Sequence, residues 1–334
     1  MTVLVSGART LASLNRRLIT NVSNSSLFFL RVRTFTVTAS KNMKLVQFYH
    51  NNNPKEIRVG FLINNNVIDI NKANSSLPTN LLDILRNGDI EKVNQLSSDP
   101  SSYSTATVPT SSVTLTAPIR GVDKILCVAL NYADHCKEQN LTPPPVAVIF
   151  SKFSSTIIGP DQALRLRTDM TKKVDWEVEL AVVIGKTASY VKAADAYDYV
   201  LGYTVAQDIS SRDWQKDRNG GQFLLGKSQD TFCPIGPCIV TKDEIPDPQV
   251  LDIKCSINGD VKQRSNTNNL IHKIPDVIER ISSLMTLLPG DLLLTGTPGG
   301  VGLYRKPQQF LQPGDVITSE IQNIGVLETK VEKF

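Results

Sequence analysis

Two carboxylates inside an apolar run constrain this chain more than any other feature. Glu177 and Glu179 stand in V-D-W-E-V-E-L-A-V-V-I-G, the run from Val174 to Gly185, which has the pattern of a β-strand. Side chains two apart on a strand share one face, so both carboxylates point the same way. Residues 180–184 are apolar without alternation, which predicts a strand covered on both faces. Because buried, unpaired carboxylates are costly to desolvate, the pattern predicts a cation between them.

A third carboxylate follows the next predicted strand. The strand-like run from Tyr199 to Ala206 ends in Gln207 and Asp208. Three carboxylates, with no cysteine or histidine in these segments, make a hard oxygen site that suits Mg²⁺ or Mn²⁺ best, with Ca²⁺ as a further option. The alternative is an ordinary amphipathic strand whose two glutamates face water.

A histidine and a glutamate form a second candidate site after the predicted strand Lys124–Ala129. Asn131 suits a helix N-cap, and on a helical turn over residues 132–139 His135 and Glu138 lie on one face. A carboxylate beside an imidazole orients its tautomer and raises its basicity, which suits proton transfer near neutral pH. The alternative is a surface histidine that happens to lie next to a surface glutamate. Residues 141–145 are too rich in proline to continue the helix, so residues 131–145 are predicted to form a lid.

Two segments of small residues are candidates for contact with an anion. Lys227 stands between Gly226 and Ser228, which would allow close approach to an anionic ligand, although a surface lysine is the commoner case. The loop G-T-P-G-G-V-G at 296–302 offers backbone amides and the Thr297 hydroxyl. It lacks the lysine and helix start of a P-loop, so nucleotide binding is not predicted. An ordinary glycine-rich connection is the alternative.

The first 40 residues have a composition of their own. They contain five arginines and many Ser and Thr, and the first acidic residue of the chain is Glu56. This composition predicts a mitochondrial transit peptide over residues 1–40 and a place in the matrix. A secretory signal, which would need a longer apolar stretch, and a disordered cytosolic extension are the alternatives.

Charge, hydropathy and cysteine spacing exclude several classes of partner. Removing the five leader arginines from the 36 basic residues leaves 31 against 32 acidic residues, so the charge does not favour nucleic-acid binding. No apolar run approaches the roughly 18 residues that cross a bilayer, so no membrane partner is predicted. The five cysteines form no C-x-x-C pair, which favours reduced thiols over disulfides or zinc.

Turn and linker signals divide the rest of the chain. Residues 43–96 predict a small N-terminal α+β domain, with a hairpin that turns at residues 64–66 and one or two short helices within residues 81–96. Residues 118–334, dominated by short strands, predict a larger mainly β domain that includes a helix at 193–199 and a hairpin turn at Asn258-Gly259. Between them, residues 97–117 begin as a Ser/Thr/Pro-rich stretch that predicts a linker. A long surface loop inside one domain is the alternative. The predicted fold class is α+β, mainly β.

The motifs occur in an order that resembles the fumarylacetoacetate hydrolase superfamily. In chain order they are N-Y-x-D-H-x-x-E, E-V-E-L-A-V-V-I-G, D-x-S-x-R-D-W-Q, G-K-x-x-D-T-F-C-P-I-G-P and L-T-G-T-P-x-G-V-G. The resemblance covers residues 118–334 and, more weakly, the M-K-L-V-Q-F opening at 43–48. It implies a mixed β-roll, usually a homodimer, that holds Mg²⁺ or Mn²⁺ on Glu177, Glu179 and Asp208.

The resemblance also implies roles for the other candidate residues. His135 and Glu138 match the catalytic dyad on a flexible lid, and Lys227 is grouped with them as a catalytic residue that contacts substrate. The expected substrate-binding residues are Tyr132, Arg212, Gln215 and Thr297. Arg212 could equally brace the site by pairing with a ligand carboxylate.

The family's chemistry implies a metal-dependent enzyme that acts on small 2-oxo dicarboxylates through an enolate. The first hypothesis is a mitochondrial oxaloacetate keto–enol tautomerase. An acylpyruvate hydrolase or an oxaloacetate decarboxylase is the alternative among enzymes, since the sequence does not choose between the fates of one enolate. An inactive metal-binding homologue with a structural role is the alternative from another class.

Overall fold

The computed structural model describes residues 43–334, and the predicted transit peptide lies outside the described residues. Strands dominate this part of the chain. In order they are β1 (Lys44–His50), β2 (Asn53–Ile63), β3 (Asn66–Asp69), β4 (Thr107–Pro109), β5 (Val113–Thr116), β6 (Ile125–Ala129), β7 (Val148–Lys152), β8 (Ile157–Ile158), β9 (Leu164–Leu166), β10 (Val174–Asp175), β11 (Val178–Ile184), β12 (Val200–Gln207), β13 (Ser210–Ser211), β14 (Cys233–Thr241), β15 (Asp252–Ile257), β16 (Asp260–Asn266), β17 (Leu292–Leu294), β18 (Val316–Ile321) and β19 (Gly325–Lys333).

The helices are short. They are α1 (Ile70–Ala73), α2 (Leu81–Arg86), α3 (Ile90–Ser98), α4 (Ala133–Glu138), α5 (Arg212–Lys216), α6 (Leu224–Lys227) and α7 (Ile274–Ser282). The expected one or two short helices before the linker are confirmed as α2 and α3. The helix predicted at 193–199 is a 3-10 helix. None of the helices in residues 43–334 is long and apolar enough to cross a bilayer.

A twelve-stranded mixed sheet forms the body of the molecule. Its central path runs β4-β3-β2-β1-β14-β12-β11-β17-β6-β7, with β5 paired to β1 and β8 to β14. The predicted hairpin is confirmed as β2 and β3. Because β1 pairs with β14, Lys44 opposite Val240, the N-terminal strands belong to the same sheet as the strands that carry the candidate site. The segment predicted as a linker continues this sheet, since β4 pairs with β3 and β5 with β1.

The predicted burial of the E-x-E strand is confirmed, because every residue of β11 is buried. Its side chains alternate between two apolar clusters. Leu180 and Val182 pack in one cluster with strands of the second sheet, and Ala181 and Val183 pack in the other with the N-terminal helices. The strand is therefore held from both faces.

A five-stranded sheet in the order β16-β15-β18-β19-β9 packs beside the large sheet. The hairpin predicted at Asn258-Gly259 joins β15 and β16, and both turn residues have positive φ, as a two-residue hairpin turn requires. Parallel pairs, β17 with β6 and β19 with β9, occur among antiparallel ones. The mainly β, α+β class is thereby confirmed.

Candidate active site

The three predicted carboxylates meet where β11 begins and β12 ends. β11 and β12 are antiparallel, with Val178 opposite Gln207. The start of one strand therefore lies beside the end of the other, which brings Glu177, Glu179 and Asp208 together. One oxygen from each lies within 4.8 Å of the others, and all three side chains are buried. The Asp208 amide donates to the Glu177 carbonyl oxygen at 2.9 Å, which fixes the two segments together.

Three buried cations surround the carboxylates. Lys227 Nζ lies 2.8 Å from Glu177 Oε2 and 2.5 Å from Asp208 Oδ2. Arg212 Nη2 lies 2.7 Å from Glu177 Oε1, and Arg212 Nε donates to Asp175 at 2.8 Å. The alternative reading of Arg212, as a brace on a candidate ligand, therefore matches its contacts.

The third cation, Lys152, was missed from the sequence. It is fully buried at the end of β7, and its Nζ donates to Asp208 Oδ1 at 2.7 Å and to the Ile209 carbonyl oxygen at 3.1 Å. Lys152 and Asp208 are 56 positions apart, and no local spacing connects them. The sequence offered one weak signal, which is that Lys152 directly follows the strand-like run A-V-I-F-S at 147–151.

Glu177 and Glu179 have opposite electrostatic surroundings. Burial alone would raise the pKa of Glu177, but the charges of Lys227 and Arg212 outweigh it and hold that pKa well below its usual range. Burial, together with the charges of Asp208 and Glu177, raises the pKa of Glu179 well above its usual range. Glu179 accepts a hydrogen bond from the Gly296 amide at 2.7 Å, and no lysine or arginine of residues 43–334 forms an ion pair with it.

This donor set fits a divalent cation. Each carboxylate oxygen has more than one lone pair, so the lysine and arginine contacts leave acceptor capacity on Glu177 and Asp208. Glu179 has the least compensation, and a cation beside it would relieve the repulsion that raises its pKa. Oxygen ligands in this number and of this type suit Mg²⁺, Mn²⁺ or Ca²⁺.

The predicted histidine–glutamate pair is formed on helix α4. His135 Nδ1 lies 2.7 Å from Glu138 Oε1, and His135 Nε2 lies 2.9 Å from the side-chain nitrogen of Gln139. An amide nitrogen only donates and a carboxylate accepts, so these partners together select the imidazole tautomer with its proton on Nδ1 and its lone pair on Nε2. Gln139 was missed, although its spacing of four from His135 on a helix was a usable signal.

A single cavity of about 280 Å³ brings most of the candidate residues together. Its apolar walls include Phe150 and Phe223, which limit water. Of the predicted residues it is lined by His135, Glu177, Glu179, Asp208, Arg212, Gln215, Lys227 and Thr297. Lys216 and Tyr304 also line it and were not predicted. Lys216 Nζ donates to the Tyr304 hydroxyl at 2.9 Å.

Two predicted residues do not line this cavity. Glu138 contacts it through His135. Tyr132 is completely buried and pairs with Leu270 as an isolated β-bridge. Its expected contact with substrate therefore stays a prediction.

The side chains of Lys227 and Thr297 have committed partners. The charges of Asp208 and Glu177 overcome the effect of burial and raise the pKa of Lys227, so it stays an ammonium. The Thr297 hydroxyl donates to the Val178 carbonyl oxygen at 2.9 Å and accepts from Gln263 at 2.8 Å. Its remaining capacity is one acceptor lone pair facing the cavity.

The glycine-rich loop after β17 binds anions, but they are the protein's own carboxylates. The Gly296 amide donates to Glu179 at 2.7 Å, and the Gly300 amide donates to Glu138 Oε2 at 2.8 Å. The amides of Gly302 and Leu303 donate to Asp175. The loop thus donates hydrogen bonds to one metal-ligand candidate, Glu179, to Glu138 of the dyad, and to Asp175, the partner of Arg212.

Comparisons with known proteins agree with this geometry. The family model for the fumarylacetoacetate (FAA) hydrolase C-terminal domain matches residues 124–332. The chain is 46% identical over 325 residues to oxaloacetate tautomerase FAHD2A, mitochondrial, of Bos taurus, covering 96% of this chain and 99% of that protein.

Solved structures give the same result. The fumarylacetoacetate hydrolase of Exiguobacterium antarcticum superposes with a TM-score of 0.75 at 33% identity, covering 87% of this chain and 100% of that one. Maleylpyruvate hydrolase of Sphingobium sp. SYK-6, solved with manganese(II) and pyruvate, superposes with a TM-score of 0.71 at 29% identity, covering 87% and 99%.

Proposed function

The chain belongs to the fumarylacetoacetate hydrolase family, and from this premise we propose that it is a divalent-metal-dependent oxaloacetate keto–enol tautomerase of mitochondria. The activity and the location are those in the name of the bovine relative, which matches nearly the whole chain. The observation that carries the proposal is local. The His135 imidazole and the carboxylate cluster line the same 280 Å³ cavity.

The carboxylates supply the site for the metal. Glu177, Glu179 and Asp208 would hold Mg²⁺ or Mn²⁺, with Ca²⁺ as a further option. A cation there would stabilise the negative charge that develops on the 2-oxo oxygen of the substrate. Lys227 and Arg212 add fixed positive charge on the same side of the cavity, which favours an anionic substrate.

His135 is the proposed proton carrier. When the Gln139 amide turns away, the Nε2 lone pair takes a proton from the carbon next to the 2-oxo group. The electron pair left behind forms the carbon–carbon double bond of the enolate. A proton returned to the oxygen gives the enol, and one returned to the carbon restores the ketone. Glu138 stabilises the imidazolium through Nδ1, and the Gln139 amide can rotate to accept from the protonated Nε2.

The decisive experiment follows the decay of enol-oxaloacetate absorbance with purified protein and Mg²⁺ or Mn²⁺. We expect an acceleration over buffer and metal alone, and a loss of about 100-fold or more in a His135→Ala variant. Lys137→Ala, on the exposed side of the same helix, is the matched control and should behave as the wild type. An unaccelerated decay would refute the function, and full activity of His135→Ala would refute the proton carrier.

Hydrolysis of an acylpyruvate, or decarboxylation of oxaloacetate, shares the same enolate. The observation in favour of hydrolysis is the superposition on a maleylpyruvate hydrolase. Pyruvate release measured in parallel with the tautomer assay separates these fates. The intact carboxylate cluster and dyad argue against an inactive structural homologue. That alternative would be supported if calorimetry detected no binding of divalent ions.

Three further expectations remain proposals. The division into a small N-terminal and a larger catalytic domain would be tested by limited proteolysis within residues 97–117. Homodimerisation would be tested by sedimentation velocity. The transit peptide would be tested by N-terminal sequencing of the protein recovered from mitochondria.

A further inference from the structure

Helix α4 carries the dyad but has little to hold it by itself. It contains six residues, and its N-cap residue, Tyr132, provides no side-chain cap. A helix of this length does not persist without tertiary contacts. The position of His135 must therefore be set by the surroundings of the helix.

Asp134, the neighbour of His135, contacts two segments that are distant from it in the sequence. Ser265 donates its hydroxyl to Asp134 Oδ2 at 2.5 Å, and the Gly299 amide donates to Asp134 Oδ1 at 3.3 Å. Ser265 lies on β16 of the five-stranded sheet, whereas Gly299 lies in the loop that leaves the large sheet after β17. One carboxylate thus ties the catalytic helix to both sheets.

Glu138 lies one helical turn further on and contacts the next amide of the same loop. Its Oε2 accepts from Gly300 at 2.8 Å, while its Oε1 pairs with His135. The loop runs so close that a Cβ on Gly299 would lie 3.3 Å from the Asp134 carbonyl oxygen. A Cβ on Gly300, which has a φ of +104°, would lie 2.2 Å from the Lys262 carbonyl oxygen. Glycine at these positions permits the helix to dock.

We propose that Asp134 is a positioning residue for the reaction: it docks helix α4 on the glycine-rich loop so that Glu138 reaches Gly300 and the His135 imidazole lines the cavity. The inference rests on the proposed function. Asp134 does not line the cavity, so it acts through His135 and not on the substrate. Its loss leaves Glu138 as the remaining carboxylate link from helix α4 to the loop, and this carboxylate must also hold the imidazole.

The metal site should be insensitive to Asp134. The loop holds Glu179 through Gly296, three positions before the amide that Asp134 accepts from, and the β11–β17 pairing fixes that end of the loop. A positioning role for Asp134 therefore predicts a loss of turnover without a loss of metal affinity. A general loss of folding would reduce both.

The test compares Asp134→Ala, Ser265→Ala and the double variant in the full-length protein, with Lys137→Ala as the control on the same helix. We expect Asp134→Ala to lower kcat about 10- to 100-fold, as a small misplacement of a catalytic group does, with KM changed less than about twofold. Ser265→Ala should cost less, and the double variant no more than Asp134→Ala alone, because the two residues act through one contact. Asp134→Asn, which keeps an acceptor for Gly299 and a donor for Ser265, should recover most of kcat.

Two measurements do not depend on turnover. Calorimetry with Mn²⁺ alone should give the same affinity for Asp134→Ala as for the wild type, within about twofold, whereas amide hydrogen exchange over residues 133–139 should become faster. Unchanged kcat in Asp134→Ala would overturn the inference, as would a kcat loss accompanied by loss of Mn²⁺ binding. If the wild type has no tautomerase activity, the proposed function falls, and unchanged exchange over residues 133–139 would then overturn the docking role as well.

Discussion

At the scale of single residues, the candidate site is a balance of buried charges. Four carboxylates, namely Asp175, Glu177, Glu179 and Asp208, face three cations, namely Lys152, Arg212 and Lys227. Buried ions are costly to desolvate, and each pair compensates its own members only while both are present. Among residues 43–334, Glu179 is the carboxylate of this group without a paired lysine or arginine, and a metal would act there. The site therefore tolerates the loss of a cation poorly.

Lys152 gives the first test of this balance. Lys152→Met keeps the length of the side chain but leaves Asp208 Oδ1 without its cation, so the free energy of unfolding should fall by about 3 kcal/mol or more. Urea denaturation measures the loss of stability. Saturating Mn²⁺ should recover part of it, because the bound ion neutralises the unpaired charge of the Asp208 carboxylate. Lys137→Met, on an exposed position, serves as the control. Equal midpoints for Lys152→Met and wild type would contradict the assignment.

Local spacing predicted only part of these residues. The E-x-E repeat and the His135–Glu138 spacing place side chains by the period of a strand or a helix. The structure brings both glutamates of the repeat and His135 to the cavity, with Glu138 hydrogen-bonded to His135. Lys152 was not predictable because its partner is distant in sequence. Tyr132 is buried and does not line the cavity, which was not predictable because a motif gives residue identity without the direction of the side chain.

At the scale of elements, the start of β11 is held by side chains as well as by its pairing with β12. Gln207 accepts from the Glu177 amide at 2.9 Å, and Gln263 accepts from the Val178 amide at 3.0 Å. Gln263 also donates to Thr297 and to the Pro298 carbonyl oxygen. These two glutamines satisfy backbone groups that would otherwise be buried without partners. They thereby fix the backbone that carries the candidate ligands Glu177 and Glu179.

Gln263→Met tests this support with a side chain of similar size. The Val178 amide and the Pro298 carbonyl oxygen lose their Gln263 partner, which should lower the free energy of unfolding by about 1–3 kcal/mol. Mn²⁺ affinity should fall about tenfold, as it does when groups that orient metal ligands are removed. Calorimetry and urea denaturation supply the two values, and the exposed Gln312→Met is the control. Wild-type Mn²⁺ affinity in Gln263→Met would show that β11 holds its course without the glutamine.

The elements themselves were more predictable than their partners. Apolar alternation and turn residues located the β2–β3 and β15–β16 hairpins, the strand that carries Glu179, and the helix of the dyad. Nothing local showed that the Ser/Thr-rich segment adds strands to the sheet, because β4 and β5 are short and their pairing is non-local. The glycine-rich loop was correctly seen as a donor of amides, but its acceptors lie in three other segments.

At the scale of the whole molecule, the two apolar clusters enclose four of the five thiols, namely Cys127, Cys233, Cys238 and Cys255. All five cysteines are unpaired and buried. Burial raises the pKa of Cys233, Cys238 and Cys255 to about 12 each, from an ordinary value of 9.0. A thiol with a raised folded pKa stabilises the native state fully below pH 9, and this stabilisation is lost as the pH rises towards 12.

The fold should therefore weaken in mild alkali. Between pH 9 and 12 each of these thiols should lower the free energy of unfolding by about 1.4 kcal/mol per pH unit. Urea midpoints measured in steps from pH 8 to 11 under reducing conditions check this expectation. Cys238→Ala should reduce the slope by the share of one thiol, and a midpoint independent of pH across that range would contradict it.

The pairing of β1 with β14 has a consequence for how the molecule is made. The first strand of the large sheet finds its partner 198 positions later, where the Met43 amide meets Thr241. β5 can cover residues 47–50 of this strand early. Whether the chain emerges from a ribosome or passes through a translocation channel, the edge at residues 44–45 stays unpaired until most of the polypeptide has followed. The early half is exposed to aggregation during this interval, so biogenesis would depend on holding factors that the finished enzyme no longer needs.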